Sequence, residues 1–296
     1  MPLETKLRHS LSLGLALTTL LTTELASAFC RTTTCRETST EKCDPDDSEP
    51  PCKKKGFPLY WRENGVEYNL NRGGTSQLPP KDARDALLKA FGSWNGVICP
   101  DGGESAFYLV PGPETDESEV LFNEGSKNNI NVIFFRENGW PYKGIDGTLA
   151  TTSVSFDVNT GEIWDADIAI NAAFNQLTTT TTGKKHFDVE SIVVHEVGHF
   201  VGINHSGDAE ALMAPTYNEG DIRRSLRPDD KAALCDIYPP GRIPPAADEG
   251  CSTGRSTGNK QGATPWGFAL LSIPGLVLWR RRHRNKTSVR LRRGTS

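Results

Sequence analysis

The chain has 296 residues, of which 36% are hydrophobic, and a formal net charge of −4. That length suits one well-filled domain with appendages or two small domains, and the modest apolar content points to low-complexity ends rather than to a poor core. Acidic residues gather at 37–49 and basic ones from Arg280 onward, so no basic patch dominates the body and the balance argues against nucleic-acid binding.

In chain order, the first element is an export pattern. Lys6 and Arg8 form a short positive region, Leu11 to Leu21 an apolar one, and Ala26-Ser27-Ala28 a small-residue cleavage site, which together read as a signal peptide over 1–28. Export permits disulfides. The cysteines at 30, 35, 43, 52, 99 and 235 form an even set of open connectivity, and Cys251 stands apart. Residues 29–55 hold four of them among Thr, Glu, Asp and Pro, which predicts an extension tied by disulfides.

Residues 57–70 alternate apolar and polar, as a half-buried strand does. Pro79-Pro80 opens an amphipathic helix over 80–95, with Ala83, Ala86, Leu87, Ala90, Phe91 and Trp94 on one face. Strand patterns follow at Ala106–Val110, Asn131–Arg136, Leu149–Phe156 and Ile163–Ile170. The last two flank the turn cluster Asp157-Val-Asn159-Thr-Gly161 and are expected to run antiparallel. Asp188 is the expected N-cap of a helix over 188–203, because its carboxylate can accept from the first-turn amides. A last helix is expected over 228–237, from Pro228-Asp229-Asp230. Residues 240–265 have linker composition, leaving a folded body expected over 56–239.

The most informative segment is His195-Glu196-Val-Gly-His199-Phe-Val-Gly202-Ile-Asn-His205. Residues four apart share a helix face, so His195 and His199 can present imidazoles to one metal. Glu196 sits on the adjacent edge, placed to reach a water without ligating the metal. His205 cannot come from the same helix face, so the chain must turn, and Gly202 tolerates the positive φ that a turn requires. Three neutral imidazoles leave a fourth tetrahedral position for water, as in a catalytic rather than structural zinc site. Zinc lowers the pKa of water to about 7, and Glu196 would act as general base toward it. The chemistry implied is peptide hydrolysis, with one catalytic zinc. The alternative is a catalytically silent zinc-containing surface-binding protein, against which intact Glu196 counts. Gly198 inside the helix costs about 1 kcal/mol relative to Ala and has no use in a plain packing helix.

This motif resembles that of the metzincin zinc endopeptidases, and Ala211-Leu212-Met213-Ala214-Pro215-Thr216-Tyr217 resembles their Met-turn. The resemblance implies an α+β fold: a twisted mixed five-stranded sheet, an active-site helix, a second sheet-packing helix, and a C-terminal helix after the Met-turn. It also implies Met213 as a hydrophobic base beneath the zinc. Pro215 stands where some metzincins have a tyrosine ligand. Pro215-Thr216-Tyr217, Gly161–Ile168 and Leu226-Arg227-Pro228-Asp229-Asp230 instead resemble the matrixins, with Pro215 and Tyr217 walling the pocket for the residue after the scissile bond. The same resemblance places an extended substrate antiparallel along the edge strand at Leu149 and Ala150. The sequence departs from the usual matrixin pattern in two ways. With only His186 spare, a second, structural zinc site is not expected, and no cysteine switch precedes residue 57. Calcium near the Asp157–Asp167 hairpin is conceivable on the same resemblance.

Toward the C-terminus, Gly250-Cys251-Ser252, a spacer, the apolar run Trp266–Trp279 and an arginine cluster resemble the MYXO-CTERM sorting signal. At ~1.5 Å per residue that run spans about 21 Å, short of the ~30 Å hydrocarbon core. Residues 266–296 are therefore expected to sort or transiently anchor the chain, through membrane contact at 266–279. The expectation is an exported monomer at the cell surface, in the outer membrane or outside the cell, acting on protein or peptide substrates.

Overall fold

A computed structural model describes residues 28–34, 56–123, 129–142, 147–181 and 186–245, together with the backbone of 286–293. The export pattern before Ala28, the cysteines at 35, 43, 52 and 251, and the apolar run 266–279 lie outside the described residues.

The elements run β1 (Cys30–Arg31), β2 (Tyr60–Trp61), β3 (Gly65–Leu70), α1 (Pro80–Gly92), β4 (Tyr108–Pro111), β5 (Val132–Arg136), β6 (Thr148–Phe156) and β7 (Glu162–Asn171). They continue with β8 (Leu177–Thr178), β9 (Phe187–Asp188), α2 (Val189–Phe200), β10 (Ile203–Asn204), β11 (Thr216–Tyr217), α3 (Pro228–Ile237) and β12 (Lys286–Arg293). The five expected strands, β3 to β7, form a continuous mixed sheet in the order β4-β3-β5-β7-β6. β3, β4, β5 and β7 pair in parallel, and β6 is antiparallel to β7 with Ala150 opposite Ile170. The two-residue strands β2 and β11 and the eight-residue β12 extend the sheet beyond the expected five. This is the α+β architecture that the sequence predicts.

Residues 57–70 are two strands rather than one. The polar stretch Arg62-Glu63-Asn64 turns the chain, and Arg62 forks onto Glu162 at 2.8 and 2.6 Å. β2 then pairs with β7, whereas β3 pairs with β4 and β5. Alternation alone could not show this break, because both pieces keep the same period.

Helix α1 begins with Pro80 in its first turn, where the missing N–H costs nothing. It buries Ala83, Ala86, Leu87, Ala90 and Phe91. Phe91 stacks on Tyr68 and meets Phe200 edge-on, and buried Trp94 donates its indole N–H to the carbonyl of Val194 at 2.9 Å. Each such aromatic contributes roughly 1.5–3 kcal/mol through burial, so α1 wedges α2 firmly against β6 and β7, which it contacts.

Eleven of the twelve residues of α2 are buried, among them the polar Ser191, His195, Glu196 and His199. Asp188 caps its start, accepting from the Ser191 amide at 2.9 Å, and Arg224 neutralises that buried carboxylate with a two-pronged bond. At the other end, the Trp61 indole donates to Phe200 O at 2.8 Å and the Tyr238 hydroxyl to Val201 O at 3.0 Å. These satisfy carbonyls that a helix end leaves without partners. Gly202 follows at φ +99°, where an added Cβ would lie 2.7 Å from Leu59 O, and the chain turns as expected.

Residues Ala28 to Thr34 belong to the body. β1 pairs antiparallel with β10, the Thr32 amide donates to Gly202 O at 3.0 Å, and Cys30 is a buried, disulfide-bonded cysteine. The start of the expected extension therefore clamps the turn that leads to His205. A disulfide joins Cys99 to Cys235 and fixes α3 to the segment after α1.

Candidate metal centre and cleft

The floor of the site is the segment between β10 and β11. Asp230, buried near the start of α3, accepts from the amides of Arg227 at 2.8 Å, Leu212 at 3.0 Å and Met213 at 3.1 Å. Burial pushes its carboxyl above the usual aspartate range, against the pull of those three amides. Its neighbour Asp229 accepts from the Ser206 hydroxyl at 2.6 Å and the Phe29 amide at 3.1 Å. The two aspartates thus tie α3 to the 205–213 loop and to the N-terminal residues.

Met213 is fully buried, directly beneath Gly198 of α2. A Cβ at position 198 would lie 2.7 Å from Met213 Cε, closer still to its sulfur, and 3.2 Å from Trp94. The glycine that is costly in a helix is what lets the Met213 loop approach α2 from below.

His195, His199 and His205 converge on one point. Their ring centroids are 4.8 to 5.2 Å apart, and one nitrogen from each lies within 4.8 Å of the others. The Nδ1 of His195 is 2.8 Å from Leu212 O and that of His199 is 2.9 Å from Ile203 O. A carbonyl only accepts, so both Nδ1 atoms carry the proton and both Nε2 atoms present lone pairs. Those two Nε2 atoms stand 3.1 Å apart. Two acceptors at that distance repel each other unless a cation lies between them, and two ligands of a tetrahedral zinc are about 3.3 Å apart for Zn–N bonds of ~2.0–2.1 Å. Burial, opposed by the bond to Leu212, lowers the His195 pKa to about 4, and burial likewise holds His199 well below the ordinary range. The rings are therefore neutral at pH 7, the form in which imidazole binds metal. The donor set fits zinc. Among the described residues this is the one such cluster.

Glu196 is fully buried on α2 beside His195, and its Oε2 lies 2.6 Å from Thr152 Oγ1 on β6. Leu149 and Ala150 lie on β6 as well, with Ala150 opposite Leu291 of β12. Pro215 immediately precedes β11. Tyr217, on β11, is buried against Phe187 and donates its hydroxyl to Asp221 O. Of the residues singled out from the sequence, His195, Glu196 and His199 therefore lie on α2, Leu149 and Ala150 on β6, and Met213, Pro215 and Tyr217 on the 213–217 segment, and the three histidines converge on one point.

Thr152, Asp230 and the Ser206–Asp229 pair escape a reading of the sequence. Asp229-Asp230 is visible there as a helix start, but its bonds to the 206–213 loop are not. In the Asp157–Asp167 hairpin, Asp157 accepts from the Asn159 amide, and Asp167 from the amides of Leu121 and Val132. Asp157 thus closes its own turn, whereas Asp167 ties β7 to the start of β5 and to Leu121.

Residues 60–239 match the family model described as Matrixin. Matrix metalloproteinase-C of Caenorhabditis elegans is 25% identical over 210 residues, 68% of this chain and 32% of that protein. Metalloendoproteinase 2-MMP of Arabidopsis thaliana is 26% identical over 216 residues, 67% of this chain and 51% of that protein. Karilysin of Tannerella forsythia is 25% identical over 178 residues, 60% of this chain and 33% of that protein. The chain spans between about a third and about half of the length of these relatives.

Proposed function

The chain belongs to the matrixin family of zinc metalloendopeptidases, and on that basis we propose that it hydrolyses internal peptide bonds of protein substrates, with His195, His199 and His205 holding one zinc ion and Glu196 acting as general base. The observation that carries this reading is the pair of Nε2 atoms 3.1 Å apart, each ring committed through Nδ1 to a carbonyl, beside a buried carboxylate.

When bound, zinc supplies a Lewis acid that acidifies water and polarises the scissile carbonyl. The protein does the rest. Leu212 O and Ile203 O fix ring tautomer and orientation, as partners of metal-binding histidines do. Glu196 takes a proton from the attacking water and delivers it to the departing amine. Thr152 holds that carboxylate in place. Met213 supports the histidines from below, and its packing against Gly198 sets the depth of the floor.

The peptide substrate lies extended along β6, antiparallel to it, with backbone bonds at Leu149 and Ala150 and its next side chain in the pocket walled by Pro215 and Tyr217. β-strand addition of this kind draws affinity from the main chain and specificity from the side-chain pockets.

The protein acts outside the cytoplasm as a monomer. The charged, apolar and small-residue order of residues 1–28 supports export, and the Cys99–Cys235 disulfide fits an oxidising compartment. Residues 266–296 sort or transiently anchor it. Replacing Glu196 by Ala tests the reading, with zinc retained and hydrolysis lost as the expected result.

A further inference from the structure

Strand β6 has a neighbour on each side. β7 pairs with one edge. The chain's own β12 pairs antiparallel with the other, from Lys286 opposite Ser155 to Arg292 opposite Thr148, with a register shift between Leu291 and Arg292. On its far side β12 runs parallel to β11, with Thr216 opposite Arg292 and Tyr217 opposite Arg293, and it also contacts α2. A strand with these three neighbours fills the slot between Ala150 and Thr216, alongside the helix that carries His195 and His199. It has the direction proposed above for an extended substrate.

We propose that Lys286–Arg293 is an intramolecular occupant of the peptide groove, held by backbone pairing to β6 and β11 and excluding other peptides from it. This inference rests on the reading of that slot as the substrate groove.

The physical case has three parts. An uncovered β6 would present a row of unpaired amides and carbonyls, which is a template for any extended chain. In sequence the segment alternates Val289, Arg290, Leu291, Arg292, the pattern of a half-buried strand. Finally, residues 246–285 join the body to β12. Linkage within one chain gives an effective concentration on the order of 1 mM, so a segment with a dissociation constant of only about 0.1 mM would suppress competing peptides roughly ten-fold. Removal of residues 286–293 would open the groove.

The test compares the full-length, zinc-loaded chain with its Val289→Pro/Arg290→Pro variant. Consecutive strand residues direct their N–H groups to opposite sides, so adjacent prolines delete one donor toward β6 whatever the parity. Two readouts are needed: hydrogen exchange of the Thr148–Ser155 amides, and cleavage of an unrelated peptide. The variant is expected to exchange the outward β6 amides at least ten-fold faster and to cleave about ten-fold faster. A synthetic KTSVRLRR peptide added in trans should reverse both changes. Faster exchange with no cleavage by either protein would uphold the occupant and overturn the peptidase reading. Equal exchange in the two proteins would overturn the occupant, whatever the cleavage rates.

Discussion

Thr152 on β6 donates its hydroxyl to Oε2 of Glu196 on α2 across 2.6 Å, and the same hydroxyl lies 3.1 Å from the Glu196 carbonyl. Both residues are fully buried. The carboxylate proposed for proton transfer is therefore positioned by a strand of the sheet, and strand and helix are locked together at that group.

Replacing Thr152 by Val keeps the shape and removes the donor. A hydrogen bond to a charged group is worth about 1.5–3 kcal/mol, so kcat should fall by roughly ten-fold or more, while zinc content stays unchanged. Steady-state kinetics beside elemental analysis checks this, and an unchanged kcat would show that Thr152 does not position Glu196.

Gly198→Ala should destabilise the protein although alanine is the better helix former. The propensity gain is about 1 kcal/mol, but the new methyl would strike buried Met213 and crowd Trp94, and overpacking of this kind costs about 1–3 kcal/mol. Urea denaturation of the two proteins should show a lower midpoint for the variant. A higher midpoint would mean that the Met213 loop yields without cost.

The purified chain should bind about one zinc ion tightly, because His195, His199 and His205 form the one cluster of this kind among the described residues. His186 instead stands 4.0 Å from Glu219. Elemental analysis after desalting should give a ratio near one, falling strongly in His205→Ala. A second ion held equally tightly would contradict the expectation of no structural site.

What could be read from the sequence is what short-range spacing determines. His195 and His199 share a face because a helix repeats every 3.6 residues, and Gly202 marks the turn because only glycine adopts φ +99° without strain next to Leu59 O. β6 and β7 alternate around a turn and pair as expected. Contacts between distant segments were not legible. Thr152 is one strand threonine among several until α2 brings Glu196 beside it, 44 residues later in sequence. Asp230 reads as a helix-start acid, and its second task, holding the amides of Leu212 and Met213, depends on tertiary packing. β12 reads as part of a basic tail, since nothing local in Lys286–Arg293 reveals that its partner strand lies more than a hundred residues earlier.

The most direct test of the peptidase assignment is cleavage of a mixed peptide library by the chain carrying Val289→Pro/Arg290→Pro, which leaves the groove open whether or not β12 normally fills it. The assay would be run with zinc, with a chelator, and beside the same chain carrying Glu196→Ala. The account predicts cutting that the chelator abolishes and that Glu196→Ala loses while retaining its zinc. Absence of cutting by the zinc-loaded protein, or undiminished cutting by Glu196→Ala, would contradict it.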